Sequence, residues 1–346
     1  MLRDALASLL AAGAAPRDVA VVQDGDAPNV SKVVAEFAGV HHVARSRPEK
    51  KLDGASRIAR HYGYALGYAL DFFKAPGVIV VEDDLVVSPD FFSYFAAAAP
   101  ALERDPTLFL ASAWNDNGFS ESGDAGALRR SLWFPGLGWL LPRRLWETEL
   151  KDQWPQTHWD HWLRHARRHK GRECIFPEVN RAFHAGSVGT FMDEWHDRRY
   201  FAPINWRRER FPWPPDAWRS VVSDAYERRL EGLLGDAEHV SDLASAADLA
   251  SRPGPPVALW YHWTSASLYD WEPPPFVCVS EPFRLWHEAE RGQHRGLHEV
   301  PGRRRVLLVN AKECTTSYKP FKPDDLAPLT QRGCPDVTWK DLEKEK

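Results

Sequence analysis

The sequence of 346 residues lacks a run of about eighteen consecutive apolar residues, so it predicts no membrane-spanning helix. The apolar segment from Leu6 to Ala15 is short, and it lacks the basic leader and the cleavage site of a signal peptide. Two interpretations stay open on this evidence: a cytosolic protein, or a piece of a longer protein that is anchored elsewhere.

Cysteine is also scarce, and the four cysteines do not form a C-x-x-C pair, which argues against a zinc site. They stand at Cys174, Cys278, Cys314 and Cys334, and their pairing in an oxidising compartment cannot be deduced from their spacing. The net charge is only −4, so nothing favours a polyanionic partner, and we predict no nucleic-acid binding.

Apolar residues, by contrast, are plentiful enough at 44% for a full hydrophobic core. The first half alternates between strand patterns and helix patterns, which predicts an α/β domain with a largely parallel sheet. The predicted strands are 19–22, 41–43, 78–81 and 108–113, and the predicted helices are 55–73 and 91–102. Proline and tryptophan become dense after about residue 200, and the segment 252–256 is typical of a linker. We therefore predict three parts, residues 1–200, 201–256 and 257–346, with further strands at 257–263 and 305–309.

Three acidic residues, Glu82-Asp83-Asp84, directly follow the apolar strand that ends at Val81. In open α/β sheets, ligands bind beyond the carboxyl ends of the strands. Carboxylates there suit a hard divalent cation, Mg²⁺ or Mn²⁺, that keeps its waters and is shared with substrate phosphates. A solvated acidic turn would have the same composition, and the pattern alone leaves both interpretations open.

Several longer strings carry a resemblance that the isolated triplet does not. They are Ile58–Tyr62, Val80–Leu85, Pro89–Phe92, Ser112–Gly118, Phe134–Trp139, Trp154–Pro155, Trp159–Trp162, Lys170–Arg172 and Pro177–Glu178. In this order and spacing, from about residue 2 to 200, the chain resembles the N-acetylglucosaminyltransferase I family, which includes the alpha-1,3-mannosyl-glycoprotein 2-beta-N-acetylglucosaminyltransferases. The related protein O-mannose N-acetylglucosaminyltransferases share most of these strings, and their version of Gly171–Ile175 is similar to this one.

The resemblance implies a type A glycosyltransferase fold with a mixed, mostly parallel sheet, and a smaller C-terminal α+β region. It also implies an inverting, Mn²⁺-dependent transfer of N-acetylglucosamine from UDP-N-acetylglucosamine to a mannose of a glycoprotein N-glycan, with a β-1,2 linkage. The family is anchored in the Golgi membrane and faces the lumen, which is the location that the resemblance implies.

The resemblance also assigns roles to individual residues. By this match Asp84 is the Mn²⁺ ligand, and Asp160 is the catalytic base. The donor-binding residues that it implies are Asp24, His61, Glu82, Asp83, Leu137, Trp159 and Phe191.

The sequence departs from the family at several places. The family's opening strand, whose Asp-Arg pair helps hold uridine, precedes the matched region, which implies a truncated gene model or an incomplete pocket. Leu110 and Gly25 stand where two disulfides of the animal enzymes have cysteines, so we expect neither bridge. The family's substrate-covering loop maps to residues 186–195, and Phe191 replaces a serine there.

Asp160 also has an interpretation that needs no catalysis. An inverting transfer needs one base to accept the proton of the acceptor hydroxyl. The flanking Trp159 and Trp162 would partly desolvate the carboxylate and make it a stronger base. As the opening residue of a predicted helix over 161–169, Asp160 could equally be its N-cap, and the two roles are compatible.

Three histidines, His161, His165 and His169, have the spacing of one helix face. Because arginines are interleaved with them, we predict a basic, solvent-exposed face there and not a metal site.

Two other classes of protein fit part of the pattern. A carbohydrate-binding module would use the sixteen tryptophans, but it needs neither the acidic triplet nor a matched base. A truncated, inactive relative of the family, or an O-mannosyl glycan N-acetylglucosaminyltransferase, would carry the same strings.

Overall fold

The architecture comes from a computed structural model. It describes residues 1–46, 52–187, 189, 192–262, 276–286, 290–315, 320–322 and 325–326. The described helices are α1 Leu2–Ala12, α2 Pro28–Ala35, α3 Gly54–Phe73, α4 Phe91–Arg104, α5 Arg143–Leu145, α6 Trp159–Arg164, α7 Ala166–His169, α8 Glu194–His196, α9 Ser223–Gly235, α10 Leu243–Ala250 and α11 Phe276–Ser280. None of these helices is both long and apolar enough to cross a membrane.

The described strands alternate with the helices along the chain. They are β1 Ala20–Asp24, β2 His41–Arg45, β3 Gly77–Val80, β4 Leu85–Val87, β5 Leu108–Ser112, β6 Leu128–Ser131, β7 Trp139–Pro142, β8 Glu173–Pro177, β9 Ala182–His184, β10 Glu238–Val240, β11 Val257–Tyr261, β12 Leu297–Val300 and β13 Val306–Asn310. The predicted strands and helices of the first half are all confirmed to within a few residues.

Five strands form the sheet that supports the acidic triplet, in the order β3-β7-β5-β8-β6. Only β5 and β8 pair parallel, whereas β3–β7, β7–β5 and β8–β6 pair antiparallel. The mixed sheet is confirmed, but the prediction of a mostly parallel sheet is wrong. Strands β6 and β7 run antiparallel to the strands they pair with, which the alternating pattern did not reveal.

Separate small sheets flank this one. Strands β1 and β2 pair parallel, and β4 pairs antiparallel with β9. In the C-terminal part, β10, β11 and β13 pair parallel and β12 pairs antiparallel with β13. One buried cluster contains side chains from α4 and β5 together with side chains from α9, β11 and β13. The division into parts 1–200, 201–256 and 257–346 stays a prediction.

The longest helix, α3, has a clear start and end. The side chain of Asp53 accepts a hydrogen bond from the backbone N–H of Ser56 at 2.8 Å and so caps the first turn. The helix ends at Lys74, which has φ +52°. Its apolar face, with Ala59, Leu66 and Leu70, lies in a second buried cluster together with Trp139 of β7. Helix α3 thereby packs against the sheet and brings its middle turns beside the end of β3.

The structure shows the state of two of the cysteines. Cys174 is a buried free thiol on β8, and burial raises its pKa, in agreement with the expectation that it has no bridge to position 110. Cys278 is disulfide-bonded.

A buried ion pair fixes the segments that frame the triplet. Arg181, just before β9, donates through Nε to Asp90 Oδ2 at 2.8 Å, and both side chains are 0% exposed. The indole of Trp213 donates to the same oxygen at 2.8 Å. Because β9 pairs with β4, this pair fixes the start of α4 against the strand that carries His184.

We predict that Asp90→Ala lowers the free energy of unfolding by about 3–5 kcal/mol, because it leaves the Arg181 guanidinium buried without its counter-charge. Chemical denaturation measures this loss. Asp248→Ala, which breaks the exposed pair with Arg252, is the matched control and is expected to cost less than about 1 kcal/mol. Equal losses in the two variants would contradict the account.

Candidate active site

The acidic triplet lies where the chain leaves the main sheet. It occupies the turn between β3 and β4, and the N–H of Leu85 donates to the carbonyl of Glu82 at 3.2 Å to close that turn. The three carboxylates therefore start from one point but enter different surroundings. Asp83 is exposed, whereas Glu82 and Asp84 are partly buried.

Asp84 is held by the segment that follows β9. Its Oδ2 lies 3.1 Å from Nε2 of His184, and its carbonyl accepts the N–H of Ala185 at 2.8 Å. A Cβ on Gly186 would lie 2.8 Å from Oδ2, so only glycine fits without displacing the carboxylate. The other oxygen, Oδ1, is buried and has no hydrogen-bond partner among the described residues.

This environment fits a divalent cation. A buried carboxylate oxygen without a donor is costly unless a positive group faces it. Among the described residues, no group of three or more His, Cys, Asp and Glu side chains is arranged to hold a metal ion. One or two carboxylates with substrate phosphates and waters are the usual ligands of Mg²⁺, and the same hard oxygen ligands suit Mn²⁺. Asp84 is therefore the described residue that would hold such a cation, together with substrate phosphates and waters.

Burial lowers the pKa of His184, but the hydrogen bond and charge of Asp84, together with Glu82 and Asp197, outweigh burial and raise it. His184 was not predicted as a site residue. It lies 100 positions after Asp84, and only the pairing of β4 with β9 brings the two together.

Glu82 faces the other way, towards α3. The hydroxyl of Tyr62 donates to Glu82 Oε1. Burial raises the pKa of this carboxyl, while the Tyr62 hydrogen bond opposes the increase. Burial and the nearby Glu82 charge also raise the pKa of Tyr62 well above its usual value, so the phenol keeps its proton and serves as donor.

The ring of Tyr62 stacks on Trp159, with centroids 4.0 Å apart and planes 22° apart. Trp159 is 8% exposed, and it also stacks on Trp139 of β7 and on Trp154. Since Trp159 opens α6 and precedes Asp160, this stack brings the helix that carries Asp160 beside the acidic triplet. Trp159 is thus a wall of the site, and Tyr62 is a site residue that sequence reasoning quoted without giving it a role.

Asp160 lies inside the first turn of α6. His158 precedes the helix, and the Asp160 carboxylate faces Arg164, whose Nη1 lies 2.5 Å from Oδ2. The N-cap interpretation is therefore wrong, because the side chain bonds forward along the helix. An acidic residue in the first turn still favours the helix dipole.

The carboxylate of Asp160 is 33% exposed, so a substrate can reach it. The predicted desolvation of Asp160 is present, but it does not make this carboxylate a stronger base. Burial does raise its pKa, but the charges of Arg164 and then His161 outweigh burial and lower it. Asp160 is consequently ionised at neutral pH.

Two of the predicted donor-binding residues, Asp24 and His61, lie together at the carboxyl end of β1. His61 Nε2 donates to the carbonyl of Val22 at 3.0 Å, and its Nδ1 is buried without a hydrogen-bond partner among the described residues. Burial lowers the pKa of His61, although the nearby Asp24 opposes that change. Asp24 ends β1 and lies 3.7 Å from Nε of Arg57. The imidazole is therefore neutral, with a buried acceptor nitrogen that lacks a donor in the described part of the chain, and the partly exposed carboxylate of Asp24 beside it can accept from a polar ligand.

Leu137 lies in a strained turn between β6 and β7. Its φ is +44°, between Gly136 at +74° and Gly138 at +79°. A left-handed conformation is rare for a bulky side chain, and it persists only where neighbours fix it. Here Ser112 donates to the carbonyl of Gly136 at 2.5 Å, and Ala113 donates to that of Gly138 at 2.6 Å. This turn therefore presents Leu137 in a fixed direction.

Not every predicted feature can be located. Phe191, with Val188 and Thr190, lies outside the described residues, so the donor contact and the loop predicted over 186–195 stay predictions. The predicted helix over 161–169 is interrupted at His165, which separates α6 from α7. His169 is buried, so the prediction of one exposed face for the three histidines is wrong.

Comparison with known proteins shows which protein family the chain belongs to. The GNT-I family model matches residues 2–252, and the chain belongs to this family. The chain is also similar to an alpha-1,3-mannosyl-glycoprotein 2-beta-N-acetylglucosaminyltransferase from Arabidopsis thaliana, with 39% identity over 208 residues. The alignment covers 59% of this chain and 46% of the relative, so the chain spans about half of the length of the curated relative that it matches.

Proposed function

We propose that this protein transfers N-acetylglucosamine from UDP-N-acetylglucosamine to a mannose of a glycoprotein N-glycan, forming a β-1,2 linkage with inversion. The observation that carries the proposal is the contact chain from Glu82 through Tyr62 to Trp159, which joins an acidic strand end to a reachable carboxylate. Membership of the family and the printed name of the plant relative support the choice of sugar and acceptor.

In the proposed reaction Asp160 accepts the proton of an acceptor hydroxyl. That oxygen forms the new bond to the anomeric carbon, and the bond from this carbon to the diphosphate oxygen breaks in the same displacement. The electron pair leaves with UDP, and no covalent intermediate on the protein is needed. Tyr62 and Trp159, which the buried Trp139 supports, would limit water at the reacting carbon and so favour transfer over hydrolysis.

The donor is held by groups from several elements. Asp24 and His61 would contact the nucleoside, while Glu82, Asp83 and Leu137 would contact the ribose and sugar. Asp84 would hold Mn²⁺, which when bound neutralises charge on the leaving diphosphate. The family resemblance also supports a location on the lumenal side of the Golgi membrane, which we include in the proposal.

We expect Asp160→Asn to lower the rate of transfer by about two to four orders of magnitude, the usual contribution of a general base. The amide keeps the shape of the side chain but accepts no proton. Donor affinity is expected to stay unchanged, because the base faces the acceptor. Steady-state transfer assays with UDP-N-acetylglucosamine and a mannose-terminated glycan measure both quantities. A variant that folds, binds donor and transfers at the wild-type rate would remove this assignment.

Asp84→Ala is expected to abolish the dependence of UDP binding on Mn²⁺, because it removes the proposed protein ligand. Calorimetric titration of UDP with and without Mn²⁺ compares wild type and variant. UDP binding that is equally strong in all four titrations would rule out a metal site at Asp84.

Gly186→Ala tests the same site without removing a ligand. The added methyl group would lie 2.8 Å from Asp84 Oδ2 and must displace the carboxylate, so Mn²⁺-dependent UDP binding is expected to weaken. Gly232→Ala on α9 is the matched control, since an added Cβ there would meet no atom within 4 Å. Wild-type affinity in both variants would show that the position of Asp84 does not matter.

A further inference from the structure

Arg164 is fixed by three different contacts and faces the Asp160 carboxylate. Its Nη1 lies 2.5 Å from Asp160 Oδ2, and its Nε donates to the carbonyl of Phe134 at 3.0 Å. The guanidinium carbon lies 4.4 Å from the centre of the Trp133 ring. The Arg164 side chain is only 11% exposed. A planar guanidinium held by these contacts can donate to the Asp160 carboxylate in only one orientation.

The aromatic support of Arg164 is itself anchored. Trp133 is 5% exposed, and Arg291 also lies over its ring, at 4.7 Å. Arg291 in turn lies 2.9 Å from the buried Asp116 carboxylate. Phe134, whose carbonyl accepts from Arg164, belongs to the segment that leads into the strained turn at Leu137. The orientation of Arg164 is therefore set by elements outside α6.

We propose that Arg164 is the positioning residue of the base: it fixes the direction of the Asp160 carboxylate and supplies its counter-charge. This inference rests on the proposed function, in which Asp160 accepts the acceptor proton. A carboxylate held at one oxygen by a rigid donor cannot rotate freely, so it meets the incoming hydroxyl in one geometry. Misplacement of a catalytic group by about 1 Å can cost about two orders of magnitude in rate.

The charges around Asp160 give the inference a pH signature. The groups that face it are Arg164 and His161 on α6 and Tyr62 on α3, while Arg291 acts on His161. His161 Nε2 lies 3.9 Å from Oδ2, farther than Arg164, and burial lowers the pKa of this imidazole. Without the Arg164 charge, Asp160 takes up its proton at a higher pH, so the acid side of the rate profile also moves to higher pH.

Two substitutions separate direction from charge. Arg164→Met removes both the bond that directs Asp160 and the positive charge. We therefore expect kcat to fall about tenfold or more and the acid side of the pH–rate profile to move to higher pH. In Arg164→Lys the charge remains, but one ammonium cannot bond Asp160 and Phe134 as the guanidinium does. For Arg164→Lys we expect the acid side of the pH–rate profile to stay near that of wild type, while kcat still falls. The KM for UDP-N-acetylglucosamine is expected to change little in either variant.

Arg168→Met is the matched control. Arg168 also lies over an indole, that of Trp162 at 4.4 Å, and it bonds Gln153 and not Asp160. Its loss is expected to change neither kcat nor the pH profile. The experiment measures kcat and KM against pH for the three variants and wild type. It also follows the carbon-13 resonance of the Asp160 carboxyl by NMR during a pH titration. This resonance is assigned by its absence from the spectrum of Asp160→Asn.

The outcomes are distinguishable. Absence of transfer by the wild-type protein would refute the proposed function. The NMR titration would still show whether the Arg164 charge lowers the pKa of Asp160. An Asp160 titration in Arg164→Met that equals the wild-type titration would overturn the inference. A second result would also count against it. If the Asp160 titration shifts in Arg164→Met but kcat of Arg164→Lys equals that of wild type, the positioning role is overturned and only a charge effect remains.

Discussion

The arrangement of the site depends on one buried contact, the hydroxyl of Tyr62 against the carboxylate of Glu82. A buried carboxylate is costly without a donor, and a buried phenol is costly without an acceptor, so each group requires the other. The ring of the same tyrosine stacks on Trp159, which begins the helix of Asp160. The contact thus links the acidic strand end to the helix of Asp160, although the two come from segments far apart in sequence.

Charge then divides the site into two halves. On the strand side, Asp84 keeps a buried oxygen without a donor and fits a divalent cation beside a diphosphate. On the helix side, Arg164 already compensates Asp160, which keeps that carboxylate ionised and directed. The stack of Tyr62, Trp159 and Trp139 links the two halves, of which one would receive negative charge and the other a proton. Such a division is what a direct displacement requires, since leaving group and base act on opposite sides of the reacting carbon.

Sequence reasoning found the elements of the first half because their periodicity is local. Helix α3 and strand β5 followed from apolar spacing and from turn residues. It failed on strand direction, since alternation does not show that β6 and β7 run antiparallel to their neighbours. The triplet and Asp160 were identified from long motifs. The contacts of His184, Tyr62 and Arg164 were missed, because they depend on which segments the fold brings together. The lowered pKa of Asp160 was missed for the same reason, as its main cause is the Arg164 charge.

The most direct test of the account is transfer itself. The wild-type protein is incubated with labelled UDP-N-acetylglucosamine, Mn²⁺ and a mannose-terminated N-glycan, with an O-mannosyl peptide as a parallel acceptor, and the products are analysed by mass spectrometry and NMR. The account predicts one added N-acetylglucosamine in β-1,2 linkage on the N-glycan mannose. Tight binding of the donor with no sugar transferred to either acceptor would contradict it.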